Sequence, residues 1–597
     1  IMDIREKLQL KTGGQWLISN VAEKRIFCRE TFSEEHIEIE KMVKQFSKER
    51  IYPNVEKIDK LDEKLSKELI RELGELGLIG VDTPEEYGGT ELDKITSCLV
   101  TESLSRGGSA SFGCTFGVQT GIGSMGIVFF GTKEQKKKYL PKLMKGEWIG
   151  AYGLTEPSSG SDALSAKTTA VLSEDGKHYI LNGEKQFISN GNWADIYTIL
   201  AQVDGNKFSG FIVERETEGF SIGAEEKKMG MKGSSTTSLK FSNVKVPIDN
   251  LLYEVGKGAA IAFNALNVGR YKLGAASVGG CKLAIEETMR YALERRQFGQ
   301  PIARFDSIHG KISDVTVRVY AADTMLYRTV GMIQEAIDDL DKTSPDYYIK
   351  MGETLERFAV EASMAKVFGS ETSGKCIDQC LQIFGGYGFI EEYPMAMAYR
   401  DDRINRIWEG TNEINRAIIT GYMMKKVLME EISLRDHLRD IDEFIKANNH
   451  INSEGPLSEQ KNALQAAKKL AVLLLQEALC EYGQDLKHEQ QLSETMADIF
   501  TNIFTAGSVI SRVQQNLDSS DRSQMSLSIA KIYVTEALLE IRSFTSICIN
   551  RIFKSPIPVK VNKSIDALHS LICLNTDTIS LKQELANYMY GQKTYPF

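Results

Sequence analysis

The chain has 597 residues, 42% of them hydrophobic and 26% charged, which is ample for several domains with a large buried core. Its net charge of −9, with no basic stripe interleaved with aromatics, argues against a general nucleic-acid binder. The nine cysteines are scattered, the closest pair being Cys376 and Cys380, and no CxxC or Cys/His cluster has metal-ligand spacing; reduced, structural thiols and no metal are expected. No run of about 18 apolar residues is evident. The start, Ile1-Met2-Asp3-Ile4-Arg5-Glu6, resembles neither a signal nor a transit peptide. A bacterial cytoplasmic protein is the expectation, with a trimmed organellar one left open.

In chain order, residues 1–148 read as a helical domain. Phe32-Ser33-Glu34-Glu35 is a capped helix start, and Ile37, Ile39, Met42, Val43 and Phe46 follow at helical spacing. Residues 149–255 change to short β-rich runs at 179–182, 196–200 and 210–213, punctuated by Asp-Gly and Asn-Gly turns. Helical periodicity returns over 256–428, with a long helix expected from Val268 to Arg296 and Glu286 four residues before Arg290. Residues 429–597 read as an additional helical domain, with a loop at Asn452-Ser453-Glu454-Gly455-Pro456 and apolar stretches at 464–479 and 529–547. The fold class is mainly α with a central β domain. A stripe of Lys531, Ile532, Val534, Leu538 and Leu539 has the moment of a membrane-surface helix but little positive charge, and packing explains it better.

Chemistry concentrates at Ile407-Trp408-Glu409-Gly410-Thr411-Asn412-Glu413-Ile414. A carboxylate between an aromatic and a Gly-Thr turn, desolvated, has its pKa raised and can remove a weakly acidic proton. Read as a helix start, the same residues make Thr411 an N-cap with Glu413 in the first turn. Residues 151–162, Ala-Tyr-Gly-Leu-Thr-Glu-Pro-Ser-Ser-Gly-Ser-Asp, offer hydroxyls and backbone N–H groups suited to a flavin edge and a phosphate. Phe187-Ile188-Ser189-Asn190-Gly191 places an aromatic and a hydroxyl before a turn. Gln382-Ile383-Phe384-Gly385-Gly386-Tyr387-Gly388-Phe389 is Gly-rich without being a Rossmann fingerprint.

Taken in order, "TEPSSGSD", "KQFISNG", "ERRQFGQPI", "QIFGGYGF" and "IWEGTNEINR" resemble the acyl-CoA dehydrogenase family over about residues 30 to 425. The resemblance is nearest to its long-chain and very-long-chain branch, whose members carry an extra C-terminal domain. It implies an N-terminal helical domain, a β-barrel-like middle domain and a four-helix bundle, with FAD between the last two. Tyr152, Leu154, Thr155, Gly160 and Ser161 would line flavin or phosphate, with Phe187 packed on the ring and Ser189 bonded beside it. Arg295, Gln297, Phe298, Gln382, Gly385 and Gly386 would serve the cofactor of an adjacent subunit in a homodimer, and Thr411 and Glu413 would follow the base near the cofactor. Asp306 stands where many members carry Gln.

Glu409 would remove the α-proton of a long-chain acyl-CoA, giving a trans-2-enoyl-CoA, with electrons passed to electron-transfer flavoprotein. In one branch the base lies instead at the position of Gly269, which cannot serve. Arg270, Ser161 and Gly410 would contact substrate. Gly123 and Gly126 would replace larger side chains and lengthen the acyl cavity. The alternatives are an acyl-CoA oxidase using oxygen and a weakly active assembly or scaffold relative.

Overall fold

Ser33 and His36 cap the first long helix reciprocally: the His36 N–H donates to Ser33 Oγ at 3.2 Å and the Ser33 N–H to His36 Nδ1 at 3.1 Å. The computed structural model describes residues 12–22, 24–448, 455–553 and 556–597. Ile1–Glu6 and most of the expected loop at 452–456 lie outside them. From the cap run α1 (Glu34–Phe46), α2 (Val55–Asp59), α3 (Glu63–Glu75), α4 (Lys94–Ser105), α5 (Ala110–Thr120), α6 (Met125–Phe130) and α7 (Lys133–Met144). One stretch, Ala110–Phe130, is after all long and apolar enough to cross a membrane by length and composition. It is 83% buried within the protein and breaks between α5 and α6, so its apolar character serves the core.

The middle of the chain forms an eight-stranded sheet: β1 (Gly150–Gly153), β2 (Thr169–Leu172), β3 (His178–Ser189), β4 (Ile196–Val203), β5 (Lys207–Glu214), β6 (Phe220–Glu225), β7 (Thr236–Pro247) and β8 (Leu251–Leu252). Its order is β6-β7-β3-β2-β4-β5-β8, with β1 paired in parallel to β4. The expected turn at Asn182-Gly183 is not a turn. β3 runs straight through it, with a register shift against β7; Gly183 has φ +149°, and a Cβ there would lie 2.5 Å from Thr168 Oγ1.

The long helix α8 spans Gly258–Glu294, ten residues further toward the N-terminus than the apolar pattern suggested, because Gly, Ala and Asn are accepted in a helix whose inner face is buried. A hairpin of β9 (Arg296–Gln297) and β10 (Gln300–Pro301) leads to α9 (Asp306–Asp338), α10 (Tyr347–Arg357), α11 (Ala359–Phe384), α12 (Pro394–Asp402) and α13 (Asn412–Leu428). α8, α9, α11 and α13 make the bundle. The expected Glu286–Arg290 pair does not form. Glu286 turns to Arg106 of the first domain at 2.6 Å and Arg290 to Glu287 at 2.9 Å.

The remaining helices, α14 (Leu434–Arg439), α15 (Ile441–Asn448), α16 (Ser458–Tyr482), α17 (Gln490–Gln515), α18 (Asp521–Ile552), α19 (Val559–Leu571) and α20 (Thr578–Tyr590), build the fourth unit. It packs on α9 and α13. The stripe weighed for a membrane faces inward, with Ile532, Val534 and Leu538 buried and Leu539 alone 61% exposed.

A buried knot of charge ties these units. Asp323 of α9 accepts from Arg29 at 2.9 Å, Lys282 of α8 at 2.6 Å and Arg512 of α17 at 3.0 Å. Glu102 of α4 accepts from the same Arg29 and Lys282, and from the Tyr327 hydroxyl. Arg512 also clasps Glu30 through two 2.8 Å bonds. These cations hold the carboxyls of Glu30 and Glu102 down to about 2 and Asp323 well below the usual range. Depressed carboxylates contribute stability that is present above their unfolded pKa and lost as pH falls through the folded value. Stability is therefore expected to decline from about pH 4.5 toward pH 2. Asp323→Asn, which takes one of its carboxylate partners from each of three buried cations, should cost on the order of 3 kcal/mol in urea denaturation at pH 7, whereas Glu38→Gln, breaking the exposed Lys41–Glu38 pair, should cost little.

Candidate active site

Glu409 sits in the short loop between α12 and α13 with φ +56°, followed by Gly410 at φ +79°. A left-handed glutamate is uncommon and persists only where its surroundings impose it. Here the loop carbonyls are gripped from three sides. Arg270 Nε donates to the Glu409 carbonyl at 3.4 Å. Asn415 Nδ2 donates to the carbonyls of Glu409, Gly410 and Thr411 at 3.3, 2.8 and 3.0 Å. Lys366 of α11, wholly buried, donates to the Gly410 carbonyl at 2.8 Å and to Asn412 Oδ1 at 2.7 Å. Thr411 caps α13 by accepting from the Ile414 N–H at 3.2 Å. The cap reading of this octapeptide is realised, and the cap fixes the loop that presents a buried carboxylate.

Glu409 Oε2 is buried and has no hydrogen-bond partner. Burial pushes its carboxyl up to about 7 against the opposing pull of Arg270 and Lys366. Burial also brings Lys366 down to about 7 against the pull of Glu409. Gly269 faces the carboxylate directly, since a Cβ added there would lie 2.6 Å from Glu409 Oε2.

A cavity of about 850 Å³ opens from Glu409, Trp408 and Gly269 and runs between α5 and α8. Its walls include Gly113 and Gly117 of α5 and Gly280 of α8, where an added Cβ would meet nothing within 4 Å. Gly123 and Gly126 do not line it. A Cβ on Gly123 would strike the Val118 carbonyl at 2.9 Å, and one on Gly126 would meet Ile261 at 3.3 Å; these glycines serve close packing against β1 and α8.

Of the residues singled out from sequence, Tyr152 lies within the electrostatic reach of Glu409, Ser189 lines the same cavity with Cys114 Sγ 3.8 Å from its hydroxyl, and Leu154 is buried in a small cluster with Tyr152. Arg270, buried inside α8 and not at a helix start, donates to Asn267 Oδ1 at 2.7 Å. Thr155 is half-buried, while Gly160, Ser161 and Glu413 are exposed. Phe187 is 58% exposed at φ +59°. Arg295, Gln297, Phe298, Gln382, Gly385 and Gly386 form a second, outward group that does not line the Glu409 cavity. There Arg295 lies over the Tyr387 ring at 5.2 Å and Phe298 is 93% exposed. Sequence reasoning missed Lys366 and Asn415, whose only signals were a lysine within an apolar helical run and an asparagine one turn past a cap. It also missed Gly113 and Gly117, though their four-residue spacing on one helix face was legible.

Three domain descriptions of one family match in chain order: "Acyl-CoA dehydrogenase, N-terminal domain" over 33–147, "middle domain" over 151–244 and "C-terminal domain" over 256–424. A further "Acyl-CoA dehydrogenase, C-terminal domain" matches 466–554. A probable acyl-CoA dehydrogenase of Bacillus subtilis is 43% identical over 542 residues, 90% of this chain and 91% of that one. The chain belongs to the acyl-CoA dehydrogenase family. A bovine mitochondrial very long-chain specific acyl-CoA dehydrogenase is 34% identical over 76% of this chain and 71% of its own. The crystal structure of an acyl-CoA dehydrogenase complexed with FAD from Bacillus anthracis superposes with TM-score 0.94 at 40% identity, covering 98% of this chain and all of that one.

As a member of this FAD-dependent family, the chain can be tested for fit to the cofactor. Tyr152 Oη is buried with no partner, as is Glu409 Oε2, and Gly160 leaves open space beside the β domain. An unsatisfied hydroxyl and a carboxylate facing one region suit a polar aromatic ring system, and the residues fit FAD. Gly269→Ala is expected to displace the Glu409 carboxylate and slow reduction of bound flavin by acyl-CoA at least about tenfold, measured by stopped-flow absorbance. If the ionised Glu409 carboxylate acts as a base, the same rate in wild type should rise with pH through an apparent pKa near 7.

Proposed function

We propose that this acyl-CoA dehydrogenase acts on long-chain acyl-CoA, with Glu409 as the catalytic base and electron-transfer flavoprotein as its acceptor. The observation that carries the base assignment is the buried, unpartnered Glu409 carboxylate at the head of the glycine-walled cavity. Its proton affinity near neutrality suits abstraction of an α-proton at working pH. Because Arg270, Lys366 and Asn415 occupy the loop carbonyls, the loop N–H groups are turned the other way. The Glu409 N–H makes no hydrogen bond to the protein among the described residues and is available to a thioester oxygen, where it would stabilise developing enolate charge. FAD, held beside Tyr152 and Glu409, would supply the acceptor for the β-hydrogen and its electron pair. The α-proton passes to Glu409, leaving a trans-2-enoyl thioester.

Substrate length rests on the cavity. From Gly269 to Gly280 its α8 wall extends about 16 Å along the helix axis at 1.5 Å per residue, and no side chain projects from the wall at Gly113, Gly117 or Gly280. That space suits a long acyl chain. Exposed Phe298 and Phe389, with Arg295 over Tyr387, form a surface for a second copy of the chain, which would bring Arg295, Phe298, Gln382, Gly385 and Gly386 to its partner's cofactor.

The test is anaerobic titration of the flavoprotein with palmitoyl-CoA. Wild type should bleach, whereas Glu409→Gln should bind the thioester and bleach at least about 10²-fold more slowly; equal rates would remove Glu409 from the role. Hydrogen peroxide released during aerobic turnover would replace the dehydrogenase reading with an oxidase. Gly117→Leu should shift the kcat/KM optimum to shorter acyl chains, each lost methylene of burial weighing about 0.8 kcal/mol. An unchanged optimum would place the acyl chain elsewhere.

A further inference from the structure

A second cavity, of about 770 Å³, lies between α9 and α11 of the bundle and α17 and α18 of the added C-terminal unit. Its deep wall holds Tyr533 Oη, Thr372 Oγ1 and Arg318 Nε, buried without a close hydrogen-bond partner among the described residues. Tyr533 is 5% exposed and Thr372 1%, so their unmet hydrogens are costly unless a ligand or solvent accepts them. The Thr505 hydroxyl beside Tyr533 gives its hydrogen to the Thr501 carbonyl at 2.7 Å, and its oxygen draws on the Tyr533 hydroxyl.

The charges point the same way. Arg318 lies over the Phe368 ring at 4.7 Å and, like Lys375 at the rim, has no carboxylate within ion-pair distance among the described residues. The nearby acids are committed or solvated. Asp314 and Glu536 both hold Lys582, at 2.7 and 2.5 Å. Glu540 accepts from Asn502 at 3.1 Å, and Asp378 is exposed. Arg318 and burial lower the proton affinity of Lys375 against the pull of Glu540, Glu371 and Asp498, and the lining also holds Lys311, which donates to Gln379 at 2.6 Å. A guanidinium, an ammonium and two hydroxyls with hydrogens to give form a donor set for an anion. The volume is that of a small-molecule site. It is separate from the Glu409 cavity, with which it shares no lining residue, and Arg318 stands about 18 Å along α9 from Asp306.

We propose that this cavity binds a phosphate-bearing small molecule, through Arg318, Lys375, Tyr533 and Thr372, at the seam between the bundle and the C-terminal unit. Such a ligand would bridge α9 and α11 to α18 and so fasten the added unit to the catalytic one.

The probes are pyrophosphate and ADP, titrated by calorimetry into the FAD-loaded full chain saturated with palmitoyl-CoA on a Glu409→Gln background, which keeps the acyl-CoA site filled. One saturable site per chain is expected, with Arg318→Leu weakening it about tenfold or more, the loss of a charge-assisted bond. Tyr533→Phe keeps the ring and removes only the hydroxyl, so it carries the test if Arg318→Leu does not fold; it should weaken binding severalfold. Binding by ADP but not pyrophosphate would support the proposal with an organic body required. No saturable binding of either probe, or affinity unchanged in both variants, would overturn it.

Discussion

Asp323 is the point on which the assembly of this chain turns. Its carboxylate, 1% exposed, takes bonds from the N-terminal segment, from α8 and from α17. Three elements distant in sequence thus meet at one buried charge. Desolvating so many ions is costly, and hydrophobic side chains of the same volume could hold the units as firmly. What ions add is directionality: only one arrangement of Arg29, Lys282, Arg512, Asp323, Glu102 and Glu30 leaves none of them unpaired. The knot therefore works as a registration device, setting α8 against α4 and α9. α8 is also a wall of the Glu409 cavity, so the register of the fold becomes the geometry of that cavity.

The Glu409 loop shows the same logic at shorter range. A glutamate held at φ +56° is under strain of about 1–3 kcal/mol, and the neighbouring donors offset it by occupying the carbonyls that this conformation turns inward. Removing water from the carboxylate raises its proton affinity; leaving it unpartnered keeps it free to react. Two cations lie near enough to attract it electrostatically yet spend their hydrogen bonds on the backbone and on Asn267 and Asn412. An ion pair made directly to the carboxylate would have lowered its basicity.

Much of this was legible in the sequence wherever one residue's environment is set by its neighbours along the chain. The Ser33 cap, the Thr411 cap, the strand runs and the Glu409 octapeptide are local signals, and each appears in the structure. The errors arose where a distant partner won. Glu286 has a helical neighbour of opposite charge, yet Arg106 from another domain offers a more buried site at 2.6 Å. Asn182-Gly183 has turn chemistry, but pairing with β7 on one side and β2 on the other draws it into a strand. Gly123 and Gly126 were read as space for substrate, whereas the backbone of β1 and the side chain of Ile261 claim that space. A glycine in sequence announces a missing side chain; only the fold says what takes its room.

Gly269 carries the last consequence. The volume its side chain would fill is the volume the Glu409 carboxylate occupies, 2.6 Å away, so positions 269 and 409 are two addresses for a single functional group. Two acids there would overlap sterically and repel electrostatically. A side chain at 269 and the Glu409 carboxylate therefore compete for one volume, and any residue larger than glycine there obliges the carboxylate to turn aside.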